Sequence, residues 1–351
     1  MIVEILLLVL IWICTISKKN KIAYVSLLLV MFLLMTFTTF DADYFAYMGR
    51  YNKLNSFQDV FSTDMGFGIL MFICKKIGFT YTAFRGVICV ICLSIISLLF
   101  FKNSTIPNIQ LVFFFILFYY TYTVQLRAFV SEVIIVYAVY DLLKKEGKVW
   151  KYIVLIALAI LFHYTAIFYY ILLLPRIIKR KKTIYYILIF SVLLMPLIYR
   201  ILMRFGTTSA VIRMDIYFEA GKKHVGVASI LFVVFFVGLT FFIRMMEKYT
   251  HRMNQTEDSL LFHQIADACT LTWISLGLII VYSNNFFRIN RPMMVISAIC
   301  LLDYFFVRFK GIKNKNLLCF VLVTIVFIGF ELLTKTWYQS IGFNKVFQNL
   351  G

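Results

Sequence analysis

Long apolar runs separated by short polar stretches recur along the whole chain of 351 residues. Most of them approach the ~20 residues that an α-helix needs to cross a hydrocarbon core about 30 Å thick. We therefore expect an all-α, polytopic transmembrane helical bundle that forms one integral membrane domain over residues 1–351, with about 10–12 membrane segments including re-entrant or half-helices on the outer side. The predicted spans are 2–17, 22–40, 83–101, 108–124, 128–143, 184–203, 227–246, 264–282, 289–307 and 316–334.

Two further apolar segments do not fit a simple crossing. The piece 66–79 is short and carries Lys75 and Lys76, so we expect an interfacial or re-entrant helix on the outer side. Segment 152–175 is long enough for one tilted span, yet clusters of Lys and Arg stand at both of its ends. Because such clusters mark cytoplasmic loops, a hairpin of two half-helices that meet near His163 is expected. Each half would have about 11 residues, or roughly 16 Å, and a single crossing is the alternative.

Composition and charge agree with a membrane protein. Of the residues, 62% are hydrophobic and 15% are charged, and the net charge is +19. The basic residues lie in short clusters between the apolar runs, which is the positive-inside pattern and makes anionic membrane lipid the expected partner. No separate basic domain exists, so nucleic-acid binding is not expected. The same pattern assigns the loops 41–65, 204–226 and 283–291 to the outer side.

The first outer loop carries a group of carboxylates and tyrosines. Asp41 and Asp43 stand where the second span leaves the lipid, and Tyr44 and Tyr47 follow them. An aspartate here can accept a proton from a sugar hydroxyl, or it can hold a metal ion with its neighbour. A solvated loop with tyrosines at the membrane interface is the alternative.

Three arginines are candidates for binding an anion on the outer side. Arg127 lies at an expected helix break, where its planar guanidinium could bind phosphate or diphosphate oxygens, although Glu132 could simply neutralise it. Arg288 and Arg291 are three residues apart, so they share a helix face if the helix has begun and could together hold a diphosphate. Side chains that only reach toward the interface are the alternative for this pair.

His163 is the histidine with the most apolar surroundings, in the sequence Leu-Phe-His-Tyr-Thr. A neutral imidazole there can act as a base or donate to a bound oxygen, and a structural histidine between helices is the alternative. We favour His163 as the base for such a sugar hydroxyl, with Asp43 orienting the sugar that carries it. Glu132 is a further candidate for the base. His251 and His263 are expected in inner loops. The chain contains no H-E-x-x-H, P-loop or G-x-S-x-G motif, so zinc protease, ATPase and hydrolase-elbow functions lack their motif.

These motifs together resemble the EpsG/Wzy-like family of membrane polysaccharide polymerases, which make O-antigen, exopolysaccharide or capsule. The matching pieces are Asp43-Tyr44 with Tyr47, Asp64-Met65-Gly66, Arg127, Phe162-His163-Tyr164-Thr165 and the turn at Arg288. The resemblance implies a glycosyltransferase in the bacterial cytoplasmic membrane with an outward-facing active site. It would transfer an oligosaccharide from undecaprenyl diphosphate to a hydroxyl of another lipid-linked unit.

The expected site follows from the same motifs. His163, Asp43 and Arg127 are expected to be catalytic, with no metal and no cofactor. A chain-length regulator protein is a further expected partner. Substrate-binding roles are expected for Arg288, Arg291, Asp41, Tyr44, Tyr47, Asp64, Glu132 and Tyr164.

Two other functions remain open. One is a lipid-linked oligosaccharide flippase or another transporter, which should carry internal repeats and polar residues along a whole pathway. The other is a glycosyltransferase that uses a polyprenyl-phosphate sugar. Analysis of lipid-linked products distinguishes them, because loss of a polymerase leaves single repeat units whereas loss of a flippase traps those units inside.

Overall fold

The computed structural model describes residues 2–17, 19–39, 43–62, 64–144, 147–205, 227–253, 257–282 and 287–308. Every regular element in these ranges is helical, and they contain no strand. They divide into two compact units. The first comprises the chain up to Tyr137, Ala157–Tyr164 and the residues from Ala298, and the second comprises Ala138–Ile156 and Thr165–Ser297.

Among the described residues up to Lys144, the chain forms eight α-helices, and most of the first unit belongs to them. They are α1 (Ile2–Ile16), α2 (Lys21–Phe37), α3 (Tyr44–Lys53), α4 (Met65–Lys76), α5 (Tyr81–Asn103), α6 (Pro107–Phe114), α7 (Tyr120–Val124) and α8 (Leu126–Leu143). A short 3-10 helix, Phe57–Ser62, precedes α4, and a π-helical turn, Phe115–Tyr119, joins α6 to α7.

Helix α2 shows how this unit is packed. Asn20 caps its first turn, because the side-chain oxygen accepts hydrogen bonds from the backbone N–H groups of Ile22 and Ala23. Its buried side chains recur every three or four residues, which forms one stripe that packs against α1 and α5. Members of this stripe include Tyr24, Leu27, Met31 and Leu34.

The later part of the chain continues with helices α9 (Val149–Phe162), α10 (Leu174–Ile177), α11 (Lys181–Phe205), α12 (Val227–Met253), α13 (Glu257–Ser275) and α14 (Phe287–Arg308). A 3-10 helix, Tyr164–Leu173, lies between α9 and α10, and another, Leu278–Val281, follows α13. In the second unit, α12 and α11 both pack against α13.

Segment 149–177 folds back on itself at His163. The hydroxyl of Tyr152 donates to the carbonyl of Tyr169 at 2.6 Å, and the hydroxyl of Tyr170 donates to the carbonyl of Ile153 at 3.0 Å. In one straight helix, residues 17 positions apart would be separated by about 25 Å. The two halves therefore lie side by side as a hairpin, whereas its re-entrant position in the bilayer stays a prediction.

The segment 41–65, which we expected to be an outer loop, contains helices. Within 41–65, the structure forms α3 and the 3-10 helix, and Tyr44, Tyr47 and Tyr51 of α3 are buried. The alternative of a solvated loop does not hold for these three tyrosines, because their spacing of three and four residues places them on one buried face of α3. The Tyr51 hydroxyl donates to the carbonyl of Phe79 at 2.7 Å, which ties α3 to the turn before α5.

Two stretches are long and apolar enough to cross a membrane among the described residues, Tyr81–Asn103 and Leu261–Ile280. The other apolar helices are shorter, and they include Lys21–Phe37 and Val149–Phe162. The full set of spans therefore stays a prediction. The predicted span 316–334 and most of the outer loops 204–226 and 283–291 lie outside the described residues.

Candidate active site

The carboxylate of Asp64 is the centre of the candidate site in the first unit. Asp64 directly precedes α4, but its side chain makes no capping hydrogen bond to that helix. Instead, its Oδ2 accepts a hydrogen bond from Nη1 of Arg127 at 2.6 Å. Only 4% of the Asp64 side chain is exposed, so this contact is a buried charge-assisted hydrogen bond. We expected Asp64 to bind substrate, and in the structure it also contacts Arg127.

Arg127 reaches the site because the chain breaks directly before it. Helix α7 ends at Val124, Gln125 leaves the helical conformation, and α8 begins at Leu126. The guanidinium thus lies in the first turn of α8, where the helix dipole also favours an anion. Its Nε donates to the Tyr47 hydroxyl at 3.3 Å. The Arg127 side chain is 29% exposed, so a ligand can reach it.

His163 lies at the bend of the hairpin, and its imidazole faces the same carboxylate. Its Nδ1 is 3.8 Å from Oδ2 of Asp64, and 6% of its side chain is exposed. The ring of Tyr164 lies beside it, with the two ring centroids 5.3 Å apart. One oxygen of Asp64 therefore faces both Arg127 and His163.

Gly66 permits this close approach of α4 and the hairpin. A Cβ atom at position 66 would lie 3.0 Å from Cβ of Leu161 and 3.1 Å from its carbonyl group. The hairpin is also held to α8, because the Ser131 hydroxyl donates to the carbonyl of Ala159 at 2.9 Å. Because Gly66 has no side chain, Asp64, which precedes α4, can lie close to His163 at the bend.

Helix α3 forms another wall of the site. Burial, with a further contribution from the charge of Asp43, raises the pKa of the Tyr47 hydroxyl, and this effect exceeds the opposing effect of Arg127. Asp43 precedes Tyr47 by one helical turn, and its side chain makes no capping hydrogen bond. The structure therefore brings Tyr47, Arg127, Asp64 and His163 together, with Asp43 close enough to Tyr47 to affect its pKa.

No role was predicted for Arg85 from the sequence, although its side chain is fully buried beside the start of α3. Its Nε and Nη2 donate to the carbonyl of Met35 at 3.1 and 2.7 Å, and its guanidinium lies 5.1 Å from the centre of the Tyr44 ring. The contact satisfies a carbonyl in the last turn of α2 and positions the start of α3. A charge near the start of the predicted span 83–101 was the signal that could have identified it.

The remaining candidates are distributed as follows. Glu132 is buried and accepts a hydrogen bond from the Tyr122 hydroxyl at 2.9 Å. Arg288 and Arg291 lie in the first turns of α14, in the second unit, where Arg291 is buried. Asp41 lies outside the described residues. In the part of the chain that is described, no three His, Cys, Asp or Glu side chains are grouped in a way that could hold a metal ion.

Comparison with known proteins identifies the family. The model of the EpsG family matches residues 21–344, which is most of the chain. A search of curated proteins found no significant match, and a search of solved structures found none either. The helical structure and the apolar composition are also those of a membrane protein, which agrees with the family assignment. The chain belongs to the EpsG family and is a membrane protein of the polysaccharide-polymerase type.

Proposed function

We propose that this protein transfers an oligosaccharide from undecaprenyl diphosphate to a hydroxyl group of a second lipid-linked unit, at the outer face of the bacterial cytoplasmic membrane. The observation that carries the proposal is the placement of Arg127 and His163 on one oxygen of Asp64. A diphosphate leaving group requires a cation, and an attacking hydroxyl requires a base. The cluster contains one group of each kind.

Arg127 is the group that binds the leaving diphosphate. A guanidinium has five N–H donors, so it can hold Asp64 and a diphosphate oxygen together. Its 29% exposure leaves a path for the ligand, whereas Asp64 behind it is buried. Negative charge grows on the diphosphate as its bond to the sugar breaks, and Arg127 stabilises that charge where it develops.

His163 accepts the proton of the acceptor hydroxyl. As the hydroxyl oxygen forms its bond to the anomeric carbon, the bond from that carbon to the diphosphate oxygen breaks, and the diphosphate leaves with the electron pair. The hydroxyl proton passes to the imidazole, and Asp64 stabilises the imidazolium that results. Its distance of 3.8 Å from Nδ1 is longer than a hydrogen bond, and catalytic contacts commonly tighten when substrate binds.

The shared oxygen couples the two halves of the reaction. While Arg127 binds Asp64 at 2.6 Å, the carboxylate is engaged by the guanidinium. When Arg127 also binds a diphosphate, that anion compensates part of the guanidinium charge, so the negative charge of Asp64 acts more strongly on His163. Binding of the donor substrate thereby strengthens the base, so that the acceptor hydroxyl is activated only when a leaving group is present.

The other predicted residues complete the proposal. Asp43 orients the acceptor sugar from the start of α3, with Tyr44 and Tyr47 beside it. Substrate-binding roles are also proposed for Arg288 and Arg291, which belong to the second unit, and for Asp41 and Tyr164. No metal ion is needed for the steps above, and a chain-length regulator is the proposed protein partner.

Product formation by purified protein tests the roles of His163 and Asp43. With a lipid-linked oligosaccharide as substrate, His163→Ala should bind the acceptor and form polymer about 10² times more slowly, and Asp43→Asn should raise the KM for the acceptor. If His163→Ala turns over normally while Asp43→Asn binds acceptor but makes no product, the roles are reversed. If neither variant is slower, the base lies elsewhere and Glu132→Gln is the next variant to measure.

Labelling with a membrane-impermeant thiol reagent tests the orientation. In a cysteine-depleted background, Ser56→Cys should react from outside, and Lys181→Cys should react only after the membrane is opened. Reaction of Lys181→Cys in intact cells would show that the hairpin legs do not both end inside. That result would contradict the re-entrant placement.

A further inference from the structure

The second unit contains a half-open cavity of about 280 Å³. Its walls come from the end of α8, the second leg of the hairpin, the start of α11 and one face of α13. The apolar part of the wall is formed mainly by Leu142, Leu143, Leu172, Ile184, Ala268 and Leu271. Interiors of proteins are close-packed, so a cavity of this size that opens to the surface is a candidate binding site.

The polar side chains of the wall can bind an anion. Arg176, Tyr185 and Gln264 line the cavity, and in the described part of the chain none of these three side chains makes a hydrogen bond or an ion pair. All three side chains can donate hydrogen bonds. The one carboxylate in the wall, Asp267, accepts a hydrogen bond from Arg244 at 2.6 Å, so its charge is compensated.

Charge also indicates the side of the membrane to which the cavity opens. Arg176 is exposed, and the exposed Lys179 and Arg180 follow it in the chain. Under the positive-inside rule these residues face the cytoplasm, where the inner leaflet carries anionic phospholipids. Basic pockets between membrane helices on that side bind lipid head groups. The diphosphate of the donor substrate is proposed at the opposite face, so a lipid of the inner leaflet is the better match.

We propose that this cavity binds one anionic phospholipid of the inner leaflet. One acyl chain fills the apolar part, and the phosphate accepts hydrogen bonds from Arg176, Tyr185 and Gln264. The guanidinium supplies both the charge and two parallel N–H groups, which is the geometry that phosphate oxygens favour. A zwitterionic lipid with the same chains offers the same apolar surface but lacks net charge, so it binds more weakly.

Native mass spectrometry of the purified full-length protein tests the proposal. Dioleoyl phosphatidylglycerol should be retained as one equivalent and should raise the thermal unfolding temperature, and dioleoyl phosphatidylcholine should do neither at the same concentration. Arg176→Gln should weaken retention about tenfold or more, because a hydrogen bond to a charged group is lost. Arg180→Gln is the matched control, since it removes an exposed charge from the same segment outside the cavity.

A second variant tests the apolar part independently. Ala268→Phe places an aromatic ring in the cavity, and it should abolish retention of phosphatidylglycerol while the protein still unfolds cooperatively. Equal retention of the two lipids, or equal loss in Arg176→Gln and Arg180→Gln, would overturn the proposal. Preferential retention of undecaprenyl phosphate over phosphatidylglycerol would overturn it as well. None of these measurements depends on polymerase activity.

Discussion

Each of the two units contains a group of Arg, His and carboxylate side chains, and their environments differ. In the first unit, Arg127 and His163 face one oxygen of Asp64. In the second unit, Arg244 binds Glu247 at 2.7 Å and Asp267 at 2.6 Å, and His263 also contacts Glu247. Exposure separates them further, because His163 and Asp64 are 6% and 4% exposed whereas His263 and Asp267 are 39% and 34% exposed.

This difference indicates which group is suited to chemistry. Arg244 has a carboxylate on each side, at distances typical of charge-assisted hydrogen bonds, and it joins α12 to α13. Such a group stabilises helix packing, and its partial exposure to solvent weakens its electrostatic interactions. The first group holds its carboxylate and imidazole in a nearly dry place beside an accessible guanidinium, where electrostatic effects on a reaction are larger. The following predictions compare matched variants of the two groups.

Removal of the arginines should give the largest contrast. Arg127→Ala should lower polymer formation by about 10²–10³, which is the usual cost of losing one strong electrostatic donor in a transition state. Arg127→Lys should rescue poorly, because a lysine lacks the planar pair of donors. Arg244→Ala should lower the thermal unfolding temperature and leave turnover of the folded protein within a few fold. Wild-type polymer levels in the Arg127→Ala strain would remove that residue from the mechanism.

Removal of the histidines should give a similar contrast of somewhat smaller size. His163→Ala should slow turnover by about 10², the lower end of what general-base catalysis contributes. His263→Ala, on the partly exposed surface of α13, should keep normal turnover. The measurement is the initial rate of polymer formation by both purified variants at saturating substrate. Equal losses in the two variants would show that the two histidines have the same kind of role.

Gly66→Ala should have an intermediate effect without removing any chemical group. The added Cβ would meet Leu161 at 3.0 Å and push the hairpin away from Asp64, so we expect kcat to fall about tenfold. Gly238→Ala is the control, because no heavy atom lies within 4 Å of its added Cβ. That helix should gain about 0.5–1 kcal/mol of stability. A normal kcat in Gly66→Ala would show that the hairpin tolerates the displacement.

The smallest effect is expected at Asp59, a partly exposed carboxylate for which no catalytic role is proposed. Hydrogen bonds from the backbone N–H groups of Ser56 and Asn55 lower its pKa below the ordinary value of 3.8. These bonds therefore stabilise the segment above pH 3.8 and are lost as the pH falls through the lower folded pKa. Asp59→Asn should reduce the unfolding temperature slightly at pH 7 and remove part of its acid dependence, with unchanged polymerase activity. An unchanged acid dependence would contradict the assignment.

The sequence predicted the parts of the site that follow from periodicity and charge. The apolar runs indicated most of the described helices, and the basic residues at both ends of 152–175 favoured a hairpin that bends near His163. The hairpin contacts of Tyr152 and Tyr170 agree with that choice. Arg127 also lies where a helix break was expected, directly after Gln125.

Contacts between distant parts of the chain could not be predicted in this way. Periodicity gives the face of a helix but not its neighbour, so the pairing of Asp64 with Arg127 was missed. The packed face of α3 was missed because tyrosines near a membrane are also common in solvated interfaces. His263 was expected in a loop, and it lies within α13 because the polar stretch before it begins a helix at Glu257.

The hairpin has a consequence for how the protein is made. Its first leg, α9, has 14 residues and is about 21 Å long, which is too short to cross a core of roughly 30 Å. Near the bend, the carbonyl of Ala159 accepts hydrogen bonds from the backbone N–H of His163 and from the Ser131 hydroxyl of α8. On the proposed re-entrant placement, α8 holds the hairpin at this point, so the hairpin would take its position after α8 is inserted. On the proposed mechanism, His163 would then join the other residues of the site late in biogenesis, and an incompletely assembled chain would lack the base with which to consume lipid-linked sugars.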